Sequence, residues 1–117
     1  MTQALAIGIR GHVGSQFNVA ADLYNAIRRK FEAEGLTKTS QRELLALQTR
    51  GLELINAWKA GIRPDVNGFK YMANLAGVPV GDARLPSLPL DPASKKALHA
   101  AFRSFCAHGG KGLRMCA

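Results

Sequence analysis

The segment Ala4–Gly14 reads ALAIGIRGHVG, an apolar run that three glycines interrupt. Its periodicity fits one short buried strand, or a helix end followed by a strand. A lone strand is a poor structural unit, because its backbone N–H and C=O groups need neighbouring strands to pair with. The sequence that follows has no second strand pattern, so we expect this segment to belong to a sheet whose other strands are absent from this chain.

The sequence after this segment predicts four helices. In the first, apolar residues recur every four positions from Val19 to Phe31, with Asn18 as the expected N-cap and Gly35 as the expected end. The other helices have start or stop signals of their own: the S-x-x-E capping box Ser40–Glu43, Gly61 and Pro64 after the second helix, Asp65 and Gly77 around the third, and Asp91-Pro92 before the fourth.

The length and composition indicate that the chain is one domain or part of one. The chain has 117 residues and is 47% hydrophobic, enough to bury a core, but it is too short for a complete (β/α)8 barrel, which needs about 200 residues or more. It contains no run of about 18 uncharged apolar residues and no signal-peptide pattern, so no membrane span is expected. Its two cysteines, Cys106 and Cys116, are too few for a disulfide framework and favour a cytoplasmic location.

The chain is basic, with a net charge of +8. Such a charge attracts phosphate-rich or acidic partners, and the run Arg28–Lys30 with Lys95 and Lys96 motivates one hypothesis, a small helical binding module for nucleic acid or acidic surfaces. Against it, the basic residues are spread out, with eight in residues 1–60 and eight in residues 61–117. The few aromatic residues occupy core-like positions and do not alternate with basic residues as a base-stacking surface requires.

Two motifs carry a family resemblance. Residues 11–18 read GHVGSQFN, which resembles the G-x-x-G-S-x-[YF]-N segment of N-acetylneuraminate lyases, members of the dihydrodipicolinate synthase superfamily of pyruvate-dependent class I aldolases. Residues 69–90 read FKYMANLAGVPVGDARLPSLPL and resemble the family's V-K-x-x-L-x-x-x-G-[LIV]-P-x-G-x-x-R-x-P-x-x-P-L stretch. Order and spacing agree, and the resemblance covers roughly residues 4 to 105.

The resemblance implies a mainly α chain that is the C-terminal fragment of a (β/α)8 TIM barrel, followed by the family's helical extension. Residues 1–36 would be the last βα unit, with strand eight around Gly11–Gly14 and helix eight from Val19 to about Glu34. Residues 37–106 would be the C-terminal helical extension. Residues 107–117, whose Gly109–Ala117 part matches nothing in the family, are expected to form a flexible tail.

The resemblance also implies an activity, the cleavage of a sialic-acid-type 2-keto acid to pyruvate and a sugar-type aldehyde without a cofactor. Family members form a Schiff base between pyruvate and a lysine on strand six, and they use a tyrosine on strand four or five as proton relay; both would lie upstream of Met1. Lys30 and Lys70 match no Schiff-base position, so we assign no catalytic residue and expect the chain alone to be inactive. A nucleophilic lysine must be partly neutral near pH 7, which needs a desolvated site that half a barrel does not provide.

Gly14 and Ser15 are the candidate substrate-binding residues. TIM-barrel active sites lie at the C-terminal ends of the strands, and the resemblance places this pair at that end of strand eight. Glycine lets the backbone approach a ligand, and a hydroxyl both donates and accepts hydrogen bonds. An ordinary strand-to-helix turn would also contain Gly and Ser, and Asn18 is better explained as a helix cap. Gln16 and Phe17 stand where the lyases usually have Thr and Tyr, which removes a hydroxyl at Phe17.

The sequence predicts no metal site. Cys106, His108 and Cys116 are three potential zinc ligands, but a structural zinc site needs four at tighter spacing. His12 is expected to be a hydrogen-bonded core histidine beside the strand. Besides pyruvate and the aldehyde, the partners considered are a second copy of the chain and a separately encoded front half of the barrel, because an unpaired strand edge seeks partners.

Overall fold

The computed structural model describes residues 1–59 and 66–117. This part of the chain forms five α-helices and two short 3-10 helices, and it contains no β-strand. The α-helices are α1 (Thr2–Ala6), α2 (Ala21–Glu34), α3 (Lys38–Trp58), α4 (Val66–Leu75) and α5 (Pro92–Ala107). The 3-10 helices are Ser15–Asn18, before α2, and Arg114–Cys116, at the C-terminus. The predicted mainly α architecture is confirmed.

The helices α2 and α3 begin at residues other than those predicted. Asn18 is not the N-cap of α2, because its side-chain amide donates to the Ser15 carbonyl at 3.2 Å and the helix begins after Ala20. The capping box of α3 lies one turn earlier than predicted. Thr37 Oγ1 accepts the Ser40 N–H at 3.1 Å, and Ser40 Oγ accepts the Thr37 N–H at 2.9 Å. A T-x-x-S box therefore precedes the predicted S-x-x-E box and extends the helix.

Other helix boundaries agree with the sequence signals. Gly35 ends α2 with φ +60°, and Gly77 follows α4 with φ +81°, the positive region in which glycine has no steric penalty. Asp91 accepts the Ser94 N–H at 2.9 Å, and Pro92 is the first residue of α5. These predictions are confirmed. The signals at Gly61, Pro64 and Asp65 lie outside the described residues.

The helices bury their apolar faces in two clusters. The central cluster joins α2 through α5 by side chains that are at most 8% exposed: Leu23, Leu54, Met72, Phe102 and Phe105. A smaller cluster joins α1 to α2 and α3 through Leu5, Ile27 and Leu44. Leu23 and Ile27 lie on the face that the four-residue spacing predicts. Each large apolar side chain buried in this way stabilises the fold by about 1.5–3 kcal/mol. Within the described ranges, no helix combines the length and apolar character needed to cross a membrane.

Residues 107–117 pack against the helices, whereas the sequence predicts a flexible tail. Leu113 and Met115 are 6% and 5% exposed and belong to the central cluster. Arg50 on α3 donates through Nη2 to the Lys111 carbonyl at 2.8 Å. This bond joins residues 61 positions apart, and no local pattern of glycines and polar residues indicates such a contact.

The two cysteines are paired. Cys106, near the end of α5, and Cys116 form a disulfide with their Cα atoms 5.3 Å apart. Gly110 lies inside the loop that the disulfide closes, where a Cβ would be 2.6 Å from a ring carbon of Phe105. Two cysteines are too few for a framework of several bridges, but they are enough for this one bridge across a short loop.

The segment expected to form strand eight is unpaired. Residues 9–14 have no regular secondary structure, and the backbone groups of residues 10–13 make no hydrogen bond to backbone elsewhere in the described part of the chain. Ile7, Ile9 and Val13 are 77%, 47% and 103% exposed. The predicted strand is therefore not formed, because a strand needs a neighbour and residues 1–59 and 66–117 offer none.

Candidate functional site

Gly14 and Ser15 lie where the unpaired segment turns into the 3-10 helix. Gly14 has φ −175° and ψ 139°, an extended conformation open to any residue, so backbone strain does not explain the glycine. Its carbonyl accepts the Phe17 N–H at 3.0 Å. The amide group of Gln16 folds over it, and a Cβ on Gly14 would lie 2.7 Å from that amide nitrogen. The glycine therefore leaves space that a polar side chain occupies.

The Ser15 hydroxyl is exposed and has no hydrogen-bond partner among the described residues. The Ser15 carbonyl accepts the side-chain amide of Asn18, which closes the turn on itself. The structure thus brings Gly14, Ser15 and Asn18 into one turn and leaves a serine hydroxyl free to donate and accept. A role of Gly14 and Ser15 in substrate binding stays a prediction.

An aromatic pair supports this turn from the side of α2. The rings of Phe17 and Tyr24 are 4.5 Å apart between centroids at 61°, an edge-to-face contact. Burial raises the pKa of the Tyr24 hydroxyl, and a hydrogen bond with Gln16 opposes part of that rise. The hydroxyl oxygen lies 2.9 Å from where a Cβ on Gly51 of α3 would stand, so the glycine makes room for it. Phe17, which lacks the hydroxyl expected from the family, thus packs as an apolar neighbour of a tyrosine.

Sequence reasoning did not identify Tyr24 as a neighbour of the turn. The available signal was its position beside Leu23 on the buried face of α2. That periodicity shows burial but does not show that the chain before the helix folds back onto the ring.

The two lysines nearest the motifs are engaged in structural contacts. Lys30 donates to Glu34 at 2.7 Å and also contacts Glu43, and these hydrogen bonds raise the pKa of its ammonium group. Lys70 donates to the Asp82 carbonyl at 2.7 Å. A Schiff-base lysine needs a lowered pKa, so the surroundings of Lys30 work against that chemistry.

His12 is predicted to be a hydrogen-bonded core histidine, and the structure does not show the expected hydrogen bond. Its Nε2 atom is buried and has no hydrogen-bond partner in the described structure. The ring lines a cavity of about 190 Å³ together with Arg10, Arg28 and Tyr24. The expected partner would come from the environment of a paired strand, and that pairing is not formed here.

The described residues offer no cluster of three metal-ligating side chains. The sulfurs of Cys106 and Cys116 are joined to each other, and the His108 Nδ1 atom lies 2.8 Å from the Ser104 carbonyl. The basic run is also partly neutralised, since Arg28 pairs with Glu32 at 2.8 Å and Lys30 pairs with two carboxylates.

Comparison with known proteins identifies the family. The sequence model described as the Dihydrodipicolinate synthetase family matches residues 1–104. The chain belongs to the dihydrodipicolinate synthetase family, which falls within the Schiff-base class I aldolases. Searches of curated proteins and of solved structures gave no significant match to this chain. The match covers all five helices except the last three residues of α5, and it stops before the C-terminal tail.

Proposed function

We propose that this chain is the C-terminal portion of a pyruvate-dependent class I aldolase of the N-acetylneuraminate lyase type. In this proposal it supplies one wall of the substrate pocket through Gly14 and Ser15, while the Schiff-base lysine and the proton-relay tyrosine belong to an upstream portion of the barrel. The observation that carries the proposal is the unpaired segment 9–14, which ends directly at a glycine and a free serine hydroxyl. The family match over residues 1–104 supports it.

The sequence of this segment has the alternation expected of a strand. Ile9 and Val13 lie an even number of residues apart, so they would point to the same face of a strand, and both are exposed. Arg10 and His12 would point to the other face. Once paired on both sides in a parallel barrel, such a strand is buried, which would cover the two apolar side chains.

The chemistry assigned to this chain is binding and orientation. In a class I aldolase, the lysine amine condenses with the keto group and water is lost. The hydroxyl beside the bond to be cleaved then loses its proton, the carbon–carbon bond breaks to release the aldehyde, and the enamine of pyruvate stays on the lysine. Protonation and hydrolysis of this enamine release pyruvate and restore the amine. A 2-keto acid presents a carboxylate and a keto oxygen, both hydrogen-bond acceptors. The Ser15 hydroxyl would donate to one of them, and Gly14 would let the backbone come close.

Trapping with borohydride tests the proposal that the Schiff-base lysine lies outside this chain. The isolated chain is incubated with pyruvate and sodium borohydride and then analysed by mass spectrometry, with a full-length aldolase of this family as positive control. We expect the aldolase to gain the reduced pyruvate adduct and this chain to remain unmodified. A pyruvate adduct on any lysine of this chain would show that it is itself a Schiff-base enzyme.

Reconstitution tests the proposed pocket residue. The chain is mixed with a separately produced front portion of a family barrel, and pyruvate release from a sialic-acid-type substrate is measured. We expect Ser15→Ala to reduce that release, by roughly tenfold if one hydrogen bond to the substrate is lost. Ser104→Ala, a change on the exposed side of α5, is the matched control. Equal activities for both variants would remove Ser15 from the pocket.

A cytoplasmic location is also part of the proposal, and the disulfide argues against it. Disulfides persist in oxidising compartments and are rare where thiols are kept reduced. Thiol alkylation in intact cells, followed by mass spectrometry of Cys106 and Cys116, decides the question. Alkylated cysteines support the cytoplasmic proposal, and a protected pair contradicts it.

A further inference from the structure

A cavity of about 390 Å³ lies between α2, the end of α4 and the C-terminal 3-10 helix. Its polar lining comes from Asn18, Asp22, Asn25, Arg29 and Arg114. Gly14 and Ser15 are not among its lining residues, although Asn18, which closes their turn, is one of them. Its volume falls in the range of about 300–1,000 Å³ that is typical of small-ligand pockets.

Two arginines line this cavity, and their guanidinium groups have no partner among the described residues. Neither the Arg29 nor the Arg114 side chain makes an ion pair or hydrogen bond with any residue in the ranges 1–59 and 66–117. Arg29 projects from α2, and Arg114 comes from the tail, 85 positions later in the sequence. Two unpaired arginines in the lining of one cavity give it a positive potential.

The Asp22 carboxylate in the lining forms no ion pair with either arginine. Asp22 Oδ1 accepts the Leu23 N–H at 3.0 Å, and Asp22 Oδ2 accepts the Arg114 N–H at 2.9 Å. Both oxygens are therefore engaged by backbone donors, and neither contacts a guanidinium within hydrogen-bond distance. With two positive groups and one negative group, the described lining keeps a net charge of +1.

The backbone at Arg114 is fixed in place by three contacts. The Asp22 carboxylate binds its N–H, the next residue Met115 is 5% exposed in the central cluster, and Cys116 is bonded to Cys106. The tail thus holds the second arginine against the family portion of the chain, although it lies beyond the residues that match the family. Such anchoring is expected of a built site, because it reduces the conformational entropy lost when a ligand binds.

We infer that this cavity binds a small organic dianion, with Arg29 and Arg114 as its two charged contacts. Guanidinium groups match the planar oxygen pairs of carboxylates and the oxygens of phosphates, and each arginine would engage one negative charge. Ala76, Val78 and Met115 also line the cavity and give it an apolar part suited to a short carbon skeleton. A phosphate ester and a dicarboxylate share this chemistry. The inference is independent of the proposed aldolase function.

Titration of the full chain tests the site directly. Inorganic phosphate and succinate are titrated separately by calorimetry and by NMR at constant ionic strength, with sodium chloride as reference. We expect saturable binding of at least one dianion, and whichever binds more tightly identifies the phosphate or the dicarboxylate class. Saturation by chloride with the same affinity, or no saturable binding of either probe, would overturn the inference.

Three variants locate the site. Arg29→Gln and Arg114→Gln should each weaken dianion binding by roughly tenfold or more, because each removes a charged hydrogen-bond donor. Arg103→Gln, on the exposed side of α5 and outside the cavity lining, should leave it unchanged. Equal weakening by all three variants would contradict the assignment. Unchanged binding in both cavity variants would contradict it as well.

A fourth variant separates the site from the fold. Arg29 and Arg114 are exposed, so neither substitution should change the helix content measured by circular dichroism. Arg114→Lys keeps the charge but loses the bidentate hydrogen-bond donor. We expect its dianion affinity to lie between those of the native chain and the Arg114→Gln variant. Binding by the lysine variant no better than by the glutamine variant, with both folded, would exclude a charge contact at this position.

Discussion

Gly110 lies where the C-terminal tail crosses a buried ring with no space for a side chain. A Cβ there would be 2.6 Å from one ring carbon of Phe105 and 2.8 Å from Cys116 Sγ. Both atoms are held in place, the ring by the core and the sulfur by its disulfide. We expect Gly110→Ala to lower the free energy of unfolding by about 1–3 kcal/mol, measured by urea denaturation. Gly11→Ala, with no atom within 4 Å of the added carbon, is the control and should change it little.

Asp91 makes the start of α5 sensitive to acid. Hydrogen bonds from the Ser94 hydroxyl and backbone N–H lower the pKa of its carboxyl below the ordinary 3.8. Because the folded state has the lower pKa, this stabilisation is present above pH 3.8 and is lost as pH falls through the folded pKa. Thermal melts between neutral and acid pH should show a smaller acid-induced fall in the midpoint for Asp91→Ala than for the native chain. A control variant, Asp82→Ala, should behave as the native chain does, and identical profiles for all three would refute the assignment.

Polar side chains of α4 form hydrogen bonds with the backbone of the proline-rich segment 78–90, which follows this helix. Asn67 is 4% exposed; its amide donates to the Leu88 carbonyl at 2.6 Å, and its carbonyl accepts the Ala83 N–H at 3.2 Å. Lys70 and Asn74 also bind carbonyls of this segment. The lysine of the second family motif thus has a structural role in this chain. The segment is therefore held in place by side chains of a helix, and it forms no β-ladder of backbone hydrogen bonds.

Replacing Asn67 should loosen this segment. Asn67→Ala removes two part-buried hydrogen bonds, those with the Leu88 carbonyl and the Ala83 N–H, and at about 0.5–1.5 kcal/mol each we expect a loss of about 1–3 kcal/mol in the free energy of unfolding. Amide hydrogen exchange should rise most at residue 83. The control is Asn56→Ala on the exposed side of α3. A variant as stable as the native chain, with unchanged exchange at residue 83, would show that the contacts contribute nothing.

The disulfide should stabilise the tail as an element. It closes a loop with a sequence separation of 10 residues, and the chain-entropy model gives about 3 kcal/mol for a loop of this size. We therefore expect a dithiol reductant to lower the thermal midpoint of the native chain. The double variant Cys106→Ser and Cys116→Ser should melt at the lower temperature with or without reductant. A native midpoint that reductant leaves unchanged would contradict this role.

Local signals predicted the helices, and non-local contacts account for what was missed. The spacing from Val19 to Phe31 and the Asp91-Pro92 pair each act within a few residues, so the sequence alone was sufficient for them. The tail was misjudged because Leu113 and Met115 are buried by residues far away in sequence. The motif located the Gly14–Ser15 turn. The Tyr24 ring lies beside this turn because the chain before α2 folds back onto the helix, and the helical periodicity does not predict that contact.

At the level of the whole molecule, the charge of +8 is the remaining argument for a nucleic-acid-binding module. The structure weakens it, because Arg28 and Lys30 pair with carboxylates and the rings of Phe102 and Phe105 are buried. Stacking on bases needs exposed aromatic faces. No aromatic side chain is exposed in residues 1–59 and 66–117, and the half-buried Phe31 ring is already covered by Arg10, whose guanidinium carbon is 6.0 Å from the ring centroid.

We expect no binding to single-stranded or duplex DNA at physiological salt. Fluorescence anisotropy across a salt series measures this, since contacts with phosphates lose affinity steeply as salt rises. A basic protein that binds nucleic acid in its natural role is the positive control. Sub-micromolar affinity at about 0.15 M salt would reinstate the binding-module hypothesis.

The unpaired segment 9–14 also has a consequence for the life of this chain in a cell. Exposed isoleucine and valine on a backbone with free hydrogen-bonding groups form the kind of stretch to which chaperones bind and on which proteases act. A chain that does not meet its complement would therefore be short-lived, and its abundance would follow the supply of that complement. Turnover of this protein would then be set by six residues of its opening, while the well-packed helices behind them would have little influence on it.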